Sequence, residues 1–268
     1  MLNENNLPSR ELSYKILGCA YDAFKTVGVG FNEIMYHKVF HQNLLKRGID
    51  ARYKVPIHLD YEGERIAEFE MDEVVENKLI VELKCIQTGF LADNYAQIFS
   101  YLKNTGIRIG LLINFGLHKA LPKRVIYRNE RIPNSEQFDH DFMTEFSQIQ
   151  LMKKIIAVSH KIDRILGPAF LSKIYKSAFA IELKRNKVNY NDQIQINTNI
   201  DGIPFPPYEI DYWLIENSFL LGILAGREHP GNYNLFRMRT YLKKLKLNRG
   251  LIAFWSIKNL QLYGIYEP

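Results

Sequence analysis

The second half of this chain repeats the first, and that repeat limits the folds open to it more than any other feature. GVGFNEIMYHKVFHQNLLKRGI (28–49) lies over LGPAFLSKIYKSAFAIELKRNKV (166–188), setting Gly28, Phe31, Tyr36 and Lys46 on Gly167, Phe170, Tyr175 and Arg185. MDEVVENKLIVELK (71–84) lies over IDYWLIENSFLLGIL (210–224), with one extra residue before a shared Glu-Asn turn. NYAQIFSYLKNTGIRIGLLINF then matches NYNLFRMRTYLKKLKLNRGLIAFW, and the offset stays near 139 to 140 throughout. Self-similarity at one fixed spacing implies a duplicated unit, because unrelated stretches that merely share an element order would drift. The 268 residues are enough for two domains of ordinary size. The polar stretch RIPNSEQFDHDFMTE marks the join. The expected division is a first domain over 1–130, a linker over 131–147 and a second copy over 148–268.

Within the first copy, Ile16, Leu17, Ala20, Tyr21 and Phe24 recur at helical spacing over Ser13–Thr26, and VGVG ends that helix. A second helix is predicted from about Asn32 to Arg47, closed by Gly48. ARYKVPIHLDY, RIAEFEMDEVV and LIVELKCI read as strands joined by YEGE and ENK turns. Asp93–Asn104 reads as a helix and IRIGLLINFG as a buried strand, so the order is α-α-β-β-β-α-β. A hydrophobic content of 47% excludes wholesale disorder. Cys19 and Cys85 are the only cysteines, which suits a reducing compartment and leaves no disulfide framework. MLNENNLPSRELSYK lacks a signal-peptide layout, and no apolar run has the length to span a bilayer. A cytoplasmic protein with no membrane partner is expected. The net charge of +6 favours an anionic partner, of which nucleic acid is the commonest.

Three charges stand in otherwise apolar strands: Asp72, Glu82 and Lys84. Alternation along a strand puts Glu82 and Lys84 on one face, and the hairpin can bring Asp72 to it. Two close carboxylates repel unless a proton or cation sits between them, and such oxygen-rich sites suit magnesium or manganese. The same pattern also fits a hairpin with one wet face. Polar residues on the helices add to the case for a site: Glu33 and Tyr36 stand three apart, and Gln97 and Tyr101 four apart, each pair on one helical face. His37 and His41, at i and i+4, have zinc-ligand spacing, but no third ligand is evident and they read more simply as helix-surface or core-edge histidines.

In GFNEIMY, Gly30, Glu33 and Tyr36 fit the signature of the GxxExxY family, and the VELK strand and AQIFSY helix resemble those of the PD-(D/E)xK nuclease superfamily. The resemblance runs from Leu12 to about Tyr127, although Met71 stands before Asp72 where that superfamily's name has proline. It implies an α/β fold of two tandem restriction-endonuclease-like cores and a metal-dependent phosphodiester hydrolase using Mg2+ or Mn2+. By position, Asp72 and Glu82 would bind the metal, and Lys84 would position water or stabilise the transition state. Glu33 would assist, and Gln97 with Tyr101 would orient substrate or the lysine, with Tyr36 in support. Nucleic acid is the expected partner, DNA before RNA. The rival expectation is a non-catalytic nucleic-acid-binding or adaptor protein keeping a relic fold.

The second copy loses those residues: Glu33, Glu82, Lys84 and Gln97 fall on Ser172, Gly222, Leu224 and Arg237, while Asp211 stands for Asp72. A catalytically dead copy is expected, its old site turned into core or interface. Basic residues remain, among them Arg237, Arg239, Lys243 and Lys244 in a stretch without acids, which suits phosphate contacts or a solvated face equally. A pseudo-symmetric contact between the copies, or a homodimer, stays open as the mode of assembly.

Overall fold

The computed structural model describes residues 10–144, 149–197, 199–200 and 203–268. It divides into two compact units, the first ending at Asn129 and the second beginning at Glu130. Both are mixed α/β, and the tandem reading holds at the level of fold.

The first unit runs α1 (Arg10–Val27), α2 (Glu33–Lys46), β1 (Ala51–Tyr61), β2 (Glu64–Val75), β3 (Leu79–Lys84), α3 (Ala92–Thr105), β4 (Ile109–Asn114) and β5 (Leu121–Ile126). Its sheet has the order β1-β2-β3-β4-β5, parallel only between β3 and β4. Ile16, Ala20 and Ala23 of α1, with Tyr36, Phe40 and Leu44 of α2, pack against Val81, Leu83, Leu111 and Ile113. Ile98 and Leu102 of α3 press on Gly110 of β4, where a Cβ would come within 2.4 Å of Ile98 Cδ1. The sheet is therefore covered on both faces, and Glu82 and Lys84 point away from the α1/α2 core.

The second unit contains β6 (Ser135–Phe138), α4 (Ile149–Leu166), α5 (Ser172–Arg185), β7 (Tyr190–Asn191), β8 (Ile194–Ile196), β9 (Asn199–Ile200), β10 (Ile203–Pro204), β11 (Tyr208–Ile210), β12 (Trp213–Ile215), β13 (Phe219–Ala225), α6 (Gly231–Leu245), β14 (Arg249–Trp255) and β15 (Leu260–Tyr266). Its sheet order, β6-β15-β14-β13-β12-β7, is that of the first unit with β6 added beyond β15. The expected 131–147 linker is thus not a simple tether, since β6 pairs in parallel with β15. Residues 145–147 of it lie outside the described residues. The long β1–β2 hairpin becomes three short antiparallel pieces here, β7 on β12, β8 on β11 and β9 on β10.

The repeat holds down to single contacts. Tyr36 OH donates to Gly28 O at 2.5 Å, and Tyr175 OH to Gly167 O at 2.8 Å. Tyr36 stacks on Phe115 at 4.8 Å, and Tyr175 on Trp255 at 4.1 Å. Both Glu-Asn turns are left-handed at both residues, with φ of 49° and 52° at Glu76 and Asn77 and 45° and 51° at Glu216 and Asn217. Positive φ at both central positions matches the right-handed twist of the strands they join.

Candidate active site

The site lies where β2 and β3 part. Their ladder stops at Glu73 opposite Val81, so the backbone N–H of Leu83 is not taken by a ladder partner. Asp72 fills the gap: its Oδ2 accepts that N–H at 2.8 Å, and its Oδ1 accepts from Lys54 Nζ at 2.8 Å. Glu82, 2% exposed, accepts from Lys84 Nζ at 2.6 Å through Oε1, while its Oε2 is buried without a hydrogen-bond partner. Burial, and then the charge of Asp72, push the Glu82 carboxyl up to about 8, with Lys84 pulling the other way.

Glu33 opens α2 after the N-cap Asn32, whose side chain accepts from Met35 N. Its Oε2 accepts the backbone N–H of Cys85 at 3.0 Å, just past Lys84. The His37 imidazole 3.5 Å away, and then Lys84's charge against the opposing burial, hold Glu33 below the usual carboxylate range. On the other side, Gln97 Nε2 donates to Tyr101 OH at 2.7 Å, and Tyr101 OH donates to Glu70 O at 3.3 Å. Burial, then the nearby Glu82 charge, raise the Tyr101 phenol well above its ordinary value. Glu33, Asp72, Glu82, Lys84, Gln97 and Tyr101 thus surround one region. Tyr36 stands apart from them, fully buried, and ties down the turn leading into α2. Asn114 secures the loop after Lys84, donating to Ile86 O and Thr88 O and accepting from Ile86 N.

Four further residues belong to this neighbourhood. Lys54 has a left-handed backbone, φ 53°, within β1, which aims its ammonium at Asp72 and, at 3.4 Å, at Glu70. Burial lowers its affinity for a proton, but the Asp72 contact outweighs this and raises the pKa. His37 is buried 3.6 Å from Asp72 Oδ2, and neither ring nitrogen makes a hydrogen bond. Behind it, His41 Nδ1 lies 2.9 Å from Glu73 Oε1, in a fully buried carboxylate that burial and Asp72 push up to about 8. The spacing of His37 and His41 to Glu33 was visible in the sequence; no sequence signal marks Lys54. Among the described residues no three His, Cys, Asp or Glu side chains form a ready-made metal cluster. What is present is two buried carboxylates with an unpartnered oxygen, a donor set that fits a hard cation keeping part of its water shell.

The counterpart in the second unit has been rebuilt. Ser172 Oγ accepts from Ala225 N at 2.8 Å, as Glu33 does from Cys85. Trp213 pairs with Leu221 as Glu73 pairs with Val81, so the ladder sets Tyr212, not Asp211, in the place of Asp72. Asp211 is instead turned outward, its side chain 70% exposed and paired with Lys176. Tyr212 lies over Gly222, the position of Glu82, where an added Cβ would meet its ring at 2.7 Å. Arg237, at the position of Gln97, stacks on Tyr212, Tyr233 and Tyr241 with its guanidinium carbon 5.1 to 6.0 Å from the ring centres. Of the other basic residues singled out, Arg239 pairs with Asp139 and Glu267, and Lys243 with Glu267.

Comparison with known proteins bears on both units. The family model described as PD-(D/E)XK nuclease superfamily matches residues 10–129 and again 149–261. The chain belongs to the PD-(D/E)XK nuclease superfamily. Both matched regions carry the duplicated fold, and nucleases of the superfamily generally use divalent metals and act on nucleic acid. No curated protein matches the chain. Among solved structures, one described as "Crystal structure of SSO0001" is similar over 43% of this chain and 77% of its own, at 11% identity. Its TM-score is 0.28. Among the described residues no helix is long and apolar enough to cross a membrane.

Proposed function

We propose that the first unit is a nuclease of the GxxExxY type that hydrolyses phosphodiester bonds in nucleic acid, DNA before RNA, and that the second unit has lost catalysis. One observation carries this: Asp72 and Glu82, both buried, converge with Lys84 where β2 and β3 separate. Asp72 and Glu82 would hold Mg2+ or Mn2+, which when bound supplies positive charge against the phosphate and lowers the pKa of a water. Lys84, held on Glu82 Oε1, is placed to donate to a phosphate oxygen as charge develops there. Glu33, kept ionised by His37 and Lys84, can accept a proton from an incoming water. Gln97 and Tyr101, hydrogen-bonded to each other and close enough to feel the Glu82 charge, would orient substrate or the lysine. The test is incubation of the full chain with single- and double-stranded DNA and RNA in Mg2+ or Mn2+. Cleavage that disappears in Glu82→Ala is expected; no cleavage of any substrate by the unaltered chain would end this reading.

One observation favours the non-catalytic alternative. Asp72 Oδ1 and Glu82 Oε1 each already have a lysine partner, Lys54 and Lys84, which occupy oxygens that a cation would need. Calorimetry separates the two: Mn2+ uptake lost in Glu82→Ala supports the enzyme, and absence of uptake supports a relic site.

A further inference from the structure

We propose that the rebuilt site of the second unit is a docking platform for single-stranded nucleic acid, which stacks bases on Tyr233 and Phe236 and holds phosphate on Arg237 and Lys244. This rests on the nucleic-acid part of the reading above but not on catalysis. Tyr233, Phe236, Arg237, Thr240 and Lys244 share one stripe of α6, by their spacing of three and four. Tyr233 and Phe236 are 73% and 67% exposed, unusual for adjacent aromatic rings on a helix that buries Met238 and Leu242 on its other side. Tyr208 of β11, 59% exposed, reaches the Tyr241 hydroxyl and extends the aromatic surface beyond the helix.

Charge identifies the occupant. The equivalent region of the first unit carries Asp72 and Glu82, which repel phosphate in the absence of a cation. The second unit has Tyr212 and Gly222 there instead, and a guanidinium where Gln97 stood. Arg239 and Lys243 are engaged by Asp139 and Glu267 on the neighbouring face. Among the described residues, no carboxylate is paired with Arg237 or Lys244. Arg237 is fixed between tyrosine rings, so little side-chain freedom is lost when it meets an anion. Exposed aromatic faces beside fixed cations bind unpaired bases, whose π-faces are open; in a duplex those faces are already stacked.

The experiment uses the full chain carrying Glu82→Ala, without divalent ions, and the fluorescence anisotropy of a labelled oligothymidine about 20 nucleotides long, against a duplex of the same length. Single-strand binding stronger than duplex binding is expected. Tyr233→Ser with Phe236→Ser should lower single-strand affinity by about tenfold or more, with an unchanged melting temperature. Lys244→Gln should reduce the slope of log affinity against log salt by about 0.7. If the double serine variant is destabilised, Tyr233→Trp with Phe236→Trp decides, since retained or tighter binding supports stacking and loss overturns it. Equal affinity in the double serine variant overturns the proposal, as does failure of the parent to bind oligothymidine. Self-association removed by the serine variant, with oligonucleotide binding unchanged, would instead assign the patch to a second copy. A chain that cuts nothing yet shows the aromatic-dependent binding fails only the catalytic reading.

Discussion

Glu82 and Glu73 give the site a pH signature. Both carboxyls sit near 8 in the folded chain against an ordinary 4.5, because burial and the Asp72 charge disfavour ionisation. Between those values the folded state holds protons that the unfolded state has released, so stability falls as pH rises through the window. The melting temperature of the metal-free chain is therefore expected to drop from pH 5 to pH 8, and Glu82→Gln to flatten part of that fall; calorimetric scans across the range check it. Lys54 makes a second case. Its ammonium occupies Asp72 Oδ1, so it competes with any cation for that carboxylate. Lys54→Met should tighten Mn2+ binding by roughly three- to tenfold in a titration, a fraction of the ~4 kcal/mol two charges exchange near a surface, because Lys54 is partly exposed and can swing aside. Weaker or unchanged binding would mean that the lysine orders Asp72 and does not screen it. At this scale Glu33, Asp72, Glu82 and Lys84 were legible because strand and helix periodicity fix which way they point. Lys54 was not, because its direction depends on a left-handed φ that no residue pattern announces, a strain of the sort held at functional sites.

The two hairpin turns share a backbone but differ in what their glutamates do, which separates conformational cost from side-chain gain. Glu76 and Glu216 both hold left-handed φ, which costs a non-glycine residue about 1 kcal/mol. The Glu76 side chain makes an exposed pair with Lys78, whereas Glu216 accepts the Asn189 backbone N–H at 2.6 Å. Glu76→Gly should stabilise its unit by about 0.5–1 kcal/mol, and Glu216→Gly should give no gain; denaturant titrations of both variants compare them directly. Restoring the lost acid is expected to fail for steric reasons. Gly222→Glu drives atoms into Tyr212 and Ile252 and should cost about 3 kcal/mol or more, with no nuclease activity regained. In the first unit every sequence-read helix and strand up to β4 is present, since each shows a clear period and a capping or turn signal. β5 and its counterpart β15, with β6 and the fragments β7 to β11, went unread. The fragments are short, and Pro204, Pro206 and Pro207 remove the ladder donors that would have let the second hairpin stay continuous.

Duplication followed by divergence leaves one chain with two units whose stabilities should answer to different ligands. Each unit has its own buried core, built in the first around Ile16, Tyr36 and Val81 and in the second around Tyr212, Met238 and Ile252. Cores of this independence unfold separately unless an interface couples them, so the chain is expected to melt in two transitions. A ligand that binds one folded unit raises only that unit's transition, by about 2.7 kcal/mol at a hundredfold excess over its dissociation constant. For a unit of this size that is roughly 10 °C. Mn2+ should therefore move one transition, and Glu82→Ala should cancel the movement while the other stays in place. Gly222→Glu marks the second transition by lowering it, which assigns the two without separating the units. Movement of both transitions together by Mn2+ would show that the units fold as one, and the loss of Glu82 and Lys84 in the second copy could not then be read as relief of a single unit from its catalytic role.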